Sequence, residues 1–112
     1  MCNTQPKRPY TILTATTAGG AATGGANYPT SHNWAVSISQ VGSAGAQTAT
    51  VLIEVTNTPS VATSWVTHDT FTMSGTTTAQ DAEVYVLNYL AVRAKCTAIA
   101  GTDSVLTVTL TY

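Results

Sequence analysis

Few side chains in this sequence are able to do chemistry. The histidines are His32 and His68, the carboxylates are Glu54, Asp69, Asp81, Glu83 and Asp103, and the cysteines are Cys2 and Cys96. A hydrolase needs a nucleophile, a base and an orienting group brought together. Neither histidine sits in a nucleophile elbow, and no Gly-x-Ser-x-Gly occurs. His68 and Asp69 are adjacent, but neighbours on a strand point to opposite faces, so they form no dyad through their side chains. His68 reads instead as a polar residue on the outer face of a strand, opposite Trp65 and Phe71, and His32 as a residue of the loop-to-strand junction before Trp34. A glycosidase needs two facing carboxylates. The five here are scattered singly, and the one close pair, Asp81-x-Glu83, reads as a solvated loop edge rather than a calcium or catalytic site. No zinc-ligand spacing is present. The glycine-rich stretch 18–27 lacks the Lys-Ser or Lys-Thr that a phosphate-cradling loop requires. Neither enzymatic activity nor a cofactor is expected.

The remaining chemistry-bearing groups read as structural. Cys96, inside an apolar strand pattern, is expected as a small core residue, with no disulfide to Cys2. Trp34 and Trp65 each share a strand face with aliphatic neighbours, which favours core packing over sugar stacking. Tyr85 and Tyr89 share their strand parity with Arg93 rather than with Leu90, so they are expected to face outward and offer a contact surface.

Composition says what kind of elements must hold these groups. Charged residues make up only 8% of the 112 residues, against roughly 25% in typical soluble domains. Thr takes their place at roughly a fifth of the chain, and its β-branch favours pleated, half-buried surfaces. A net charge of −1 supplies no electrostatic footprint for nucleic acid or an anionic membrane. No run approaches the roughly 20 apolar residues of a membrane span. The first residues lack the apolar core of a signal peptide, so synthesis in a cytoplasm is expected. Weak repulsion between copies permits self-association, and a homo-oligomer is expected.

Along the chain, residues 1–9 carry two prolines and half of the positive charge, which predicts an extended arm. A single domain is expected over 10–112. Residues 10–16 read as a first strand and 18–27 as a flexible surface loop. Trp34, Val36 and Ile38 alternate with Ala35, Ser37 and Ser39, a turn is expected over 42–45, and Val51, Ile53 and Val55 mark the next strand. Asn57-Thr58-Pro59-Ser60 breaks it. A strand over 65–73 places Trp65, Phe71 and Met73 on one face, and a loop is expected over 74–81. Residues 83–99 read as strand, with Leu90, Val92, Ala94, Cys96 and Ala98 on one face. A turn over 101–104 then leads into a hairpin partner over 105–112, where Leu106, Val108 and Leu110 alternate with Thr107, Thr109 and Thr111. Six or more short strands, each apolar on one face, predict a sandwich or barrel rather than one open sheet, and the fold class expected is an all-β, single-domain antiparallel β-sandwich.

Val51-Leu52-Ile53-Glu54-Val55-Thr56-Asn57, Ser64-Trp65-Val66, Phe71-Thr72-Met73-Ser74-Gly75 and the stretch 89–102 together resemble small β-sandwich proteins of tailed-bacteriophage virions. The resemblance covers about the C-terminal two-thirds of the chain. It implies a jelly-roll-like decoration or cement protein, located on the virion, that binds the major capsid protein or another virion protein and staples the shell. The Ala/Gly-rich loop and the Pro-rich arm have no counterpart in that pattern. In such a protein the arm, through Asn3, Gln5, Pro6, Lys7, Arg8 and Tyr10, is the segment expected to dock on a neighbouring chain, beside Tyr85 and Tyr89. The alternative expectation is a phage tail, fibre or adsorption module that binds carbohydrate or a host surface.

Overall fold

The computed structural model describes residues 7–30, 33–86 and 89–112. Cys2, Asn3, Gln5, Pro6 and His32, which figure in the expectations above, lie outside the described residues. Strands β1 (Pro9–Thr16), β2 (Ala22–Thr23), β3 (Asn33–Thr56), β4 (Val66–Val86), β5 (Ala91–Thr102) and β6 (Val105–Thr111) form one antiparallel sheet, with a 3-10 turn at Ala62–Ser64. The order is β1-β6-β3-β5-β2, and β4 pairs with β3 outside that path. The all-β, single-domain expectation holds. The two layers belong to one continuous sheet folded over on itself, and this order does not confirm jelly-roll connectivity.

The fold-over is made by β3 and β4, each long enough to serve both layers. Residues 35–41 of β3 pair with β6 and 33–41 with 78–86 of β4, whereas residues 46–55 pair with 66–76 of β4, and β5 pairs along 44–56. We refer to these as layer A and layer B. The smallest extent of the molecule, 17 Å, accommodates two β-layers roughly 10 Å apart. Val36, Ile38, Val51, Ile53, Val55, Val92, Cys96, Leu106, Val108 and Leu110, all at most 1% exposed, fill the space between them. Cys96 is thus the core residue its strand pattern predicted, with its thiol donating to Ala98 O at 3.3 Å.

Two predicted breaks are absent. The turn expected over 42–45 is a bend within β3, and the loop expected over 74–81 is the middle of β4. Turn-forming residues here bend a continuous ribbon instead of ending it. Gly45 (φ 76°) and Thr77 (φ 61°) take the left-handed conformations, and the register slips between Val41 and Ala46. Inside the bend lie two fully buried amides. Gln40 Nε2 donates to Thr48 O (3.0 Å), Ala100 O (3.1 Å) and Ser104 Oγ (2.8 Å), and Gln47 Nε2 donates to Ala44 O (3.2 Å) and Gly45 O (3.4 Å). Gln40 thus ties the bend to β5 and to the turn before β6, Gln47 pins the bend to itself, and the Oε1 of each is buried without a hydrogen-bond partner among the described residues.

The 18–27 segment is also more ordered than its composition suggests. It contributes β2, paired with Cys96 and Lys95, and a bridge from Asn27 to Val92. Gly24 donates to Ala94 O at 2.8 Å. A Cβ on Gly24 would lie 2.2 Å from Ile12 O and 3.3 Å from Ala94 O, so glycine is what lets β1 approach the β2/β5 side and nearly close the sheet into a barrel. Both obstacles are backbone. We expect Gly24→Ala to destabilise the fold by about 3 kcal/mol, read as a lower urea midpoint. An unchanged midpoint would mean that β1 is free to move away.

Strand irregularities relocate several side chains. A slip at His68, where Ile53 faces Asp69 but Glu54 faces Thr67, leaves Phe71 and Met73 in the core but sends Trp65 to the opposite side. There Trp65 is half-buried beneath Arg93, whose guanidinium carbon lies 4.4 Å from the ring centroid. This corrects the core placement expected for Trp65; Trp34, at 2% exposure, is in the core as expected. A second slip at Thr97 turns Ala98 outward and Ile99 inward. The stretch 83–99 is not one strand: β4 ends at Val86 and β5 begins at Ala91, with Leu90 51% exposed between them.

Candidate functional site

Each layer has an outer face, and their chemistry differs. On layer B, Glu54 Oε1 accepts from Arg93 Nε at 2.7 Å, Lys95 lies two residues along, and the 57–65 excursion packs over this pair through Trp65. Ser64 Oγ bonds Thr56 Oγ1 at 2.7 Å and donates to Thr58 O at 2.7 Å, which ties that excursion down. Layer B is therefore charged and partly roofed.

Layer A presents a four-by-four grid. Across β1, β6, β3 and β4 in turn, the rows are Pro9-Thr111-Ala35-Val84, Thr11-Thr109-Ser37-Ala82, Thr14-Thr107-Ser39-Gln80 and Thr16-Val105-Val41-Thr78. Every one of these side chains is exposed or half-buried, and none is charged. The inward parity of the same strands carries Leu106, Val108, Leu110, Val36 and Ile38, so the alternation that builds the core also builds this face. Strands about 4.8 Å apart and rows about 6.7 Å apart give a face of roughly 500 Å². A shallow depression of about 400 Å³ lies along Ser37, Ser39, Gln80 and Ala82, and another of about 470 Å³ at the corner formed by Thr16, Val105 and Asp103.

Of the arm residues expected to dock, Lys7, Arg8 and Tyr10 are described and border this grid. Arg8 exchanges backbone hydrogen bonds with Tyr112 (3.0 and 3.2 Å), Lys7 Nζ donates to Asn33 O at 2.8 Å, and Tyr10 stacks on Tyr112 with centroids 4.8 Å apart. The residue between them, Pro9, is a member of the first row. Described residues 7–9 thus lie along one end of layer A, continuing β1.

Comparison with family models, curated proteins and solved structures finds no match. The geometry alone carries the functional argument.

Tyr85 is not the outward contact residue its parity suggested. It is 6% exposed, packs against Trp34 at 4.6 Å between centroids, and donates its hydroxyl to Asp69 Oδ2 at 2.6 Å; the exposed His68 ring meets its edge at 5.3 Å. Its strand is the open side of the sandwich, where the inward parity also holds Asp81 and Glu83. Tyr89 is half-buried and packs on the core. Parity with Arg93 misleads because Tyr85 lies on β4 and Arg93 on β5, two strands whose registers are independent. Burial first, then the Asp69 hydrogen bond and the negative charges of Asp69, Glu83 and Asp81, push the Tyr85 phenol well above its ordinary value. An acid held protonated by the fold stabilises it fully below the unfolded value, about pH 10. That contribution is lost as pH rises, because the unfolded phenol ionises first. We expect Tyr85→Phe to shallow the fall in stability above about pH 10, measured as urea midpoints against pH. Parallel curves for the two proteins would contradict the assignment.

No group of three or more histidine, cysteine or acidic side chains able to hold a metal ion occurs among the described residues, and no helix is long and apolar enough to cross a membrane. The alternation marks the threonines of β6 as part of a Thr-lined outer face open to partners, but not which strands join them there. The signal available was the absence of charge from 33–41 and 105–112 alike.

Proposed function

We propose that this protein is a structural component that docks on a larger protein assembly through the outer face of layer A, as a decoration or cement protein of a bacteriophage shell would. The observation that carries this reading is the uncharged sixteen-residue grid. Threonine, serine, alanine and valine are short, so the surface loses little side-chain entropy when covered, and it has no charge to desolvate. Its roughly 500 Å² falls short of the roughly 800 Å² that one partner gives to a standard stable interface. A single contact of that size is weak, and many identical contacts on a symmetric lattice sum to firm attachment. Residues 7–10 border the face and extend its area, in keeping with a docking role for the arm.

The rival reading, a carbohydrate- or host-binding tail module, has less to rest on. Trp34 is buried and the Trp65 ring is occupied by Arg93, which leaves neither as a stacking platform. Co-sedimentation with purified tailed-phage shells tests the proposal: saturable binding at a copy number set by the shell symmetry supports it, and no binding counts against it. A saturable tryptophan fluorescence change with polysaccharide would favour the rival.

A further inference from the structure

β4 runs for 21 residues and, among the described residues, pairs with β3 alone. Every second residue of such a strand turns its N–H and C=O to the open side. The amides of Thr70, Ala82 and Val84 share one parity, and each is taken by the carboxylate of the residue before it. Asp69 Oδ1 accepts from Thr70 N at 2.8 Å, Asp81 Oδ1 from Ala82 N at 2.8 Å and Glu83 Oε1 from Val84 N at 3.2 Å. These contacts do for the edge what bulges and lysines do elsewhere, blunting promiscuous pairing.

The same contacts make the edge selective. A neutral strand adding here must displace the carboxylates from the amides and leave them beside the new ladder without partners. A second copy would bring its own carboxylates against them, since β4 carries three acids and neither Lys nor Arg. A strand bearing Lys or Arg meets both needs: its carbonyls accept from the freed amides, and its cations bond the freed carboxylates. Asp69 is also held by Tyr85, so the acids open to exchange are Asp81 and Glu83. Beside them Val84 and Val86, 70% and 75% exposed, supply apolar contact.

We infer that the open edge of β4 over 80–86 is a strand-addition site for an extended basic segment of another protein. The site uses the open backbone edge of β4, which borders the layer A face through Gln80, Ala82 and Val84, and a substitution in the middle of that face separates the two. The probe is a capped peptide alternating Lys and Val, with Ser-Val and Glu-Val counterparts. In amide-resolved NMR with hydrogen exchange, the Lys-Val peptide should protect Ala82 and Val84 and bind at least about tenfold more tightly than the Ser-Val peptide, the preference fading with salt. The exposed double substitution Asp81→Asn with Glu83→Gln should abolish that preference while leaving the spectrum folded, and Thr109→Arg should leave it intact. Equal binding of all three peptides, protection elsewhere in the sheet, no binding at millimolar peptide, or self-association of the protein through β4 would each overturn the inference.

Discussion

Replacing Gln40 by leucine is expected to lower stability by about 3 kcal/mol, because one buried and two part-buried acceptors lose their donor at a cost of about 1–3 kcal/mol for each that stays dry. The side chain is fully buried, and its amide nitrogen reaches three oxygens from three segments, Thr48 O on β3, Ala100 O on β5 and Ser104 Oγ in the β5–β6 turn. Leucine fills similar space and donates nothing. Thermal unfolding should fall by roughly 12 °C, at about 4 °C per kcal/mol for a domain of this size. Gln80→Leu, on the exposed face, should shift it by little more than about 0.5 kcal/mol. A Gln40→Leu loss below about 1 kcal/mol would mean that the bend does not depend on this amide.

The largest effect on function is expected from Thr109→Arg. Thr109 lies inside the layer A grid, with Thr11 on one side and Ser37 on the other. A guanidinium placed there must lose water under any partner, and the grid holds no acid to receive it. The resulting cost of roughly 3 kcal/mol corresponds to a loss of shell binding of about 100-fold. Stability should change by less than about 0.5 kcal/mol, because an outward position on a formed strand tolerates a long polar side chain. Thr97→Arg on layer B is the matched control and should bind as the parent does. If both variants bind equally, the face is not the docking surface; if both lose binding, charge in general rather than this face is responsible.

These two positions also show how far the amino-acid order could be read. Thr109 is legible from the sequence, on the polar parity of a strand whose Leu106, Val108 and Leu110 are buried, because a period of two along one strand is a local property. Gln40 was not singled out, since a glutamine beside a glycine-rich bend looks like a surface residue until β5 and the β5–β6 turn are brought over it. Tyr85 keeps the inward parity of Phe71 and Met73 on its own strand, and only its comparison with Arg93 on another strand misleads; Trp65 fails for a related reason. A one-residue slip at His68 reverses the faces on either side of it, and nothing local marks where the slip falls. The 74–81 stretch, rich in Gly, Thr and Ser, reads as a loop, yet pairing with β3 on both sides of Thr77 keeps it within one strand.

Strand identity, the single domain and the buried status of Trp34 and Cys96 follow from composition and alternation. They depend only on which side chains prefer water and on the two-residue repeat of an extended chain. The uncharged grid, the amides inside the bend, the barrel-like approach at Gly24 and the carboxylate-capped edge of β4 were decided by the tertiary structure. Each depends on register between strands far apart in the chain, and register is set by the summed fit of whole faces against one another rather than by any residue's own preference.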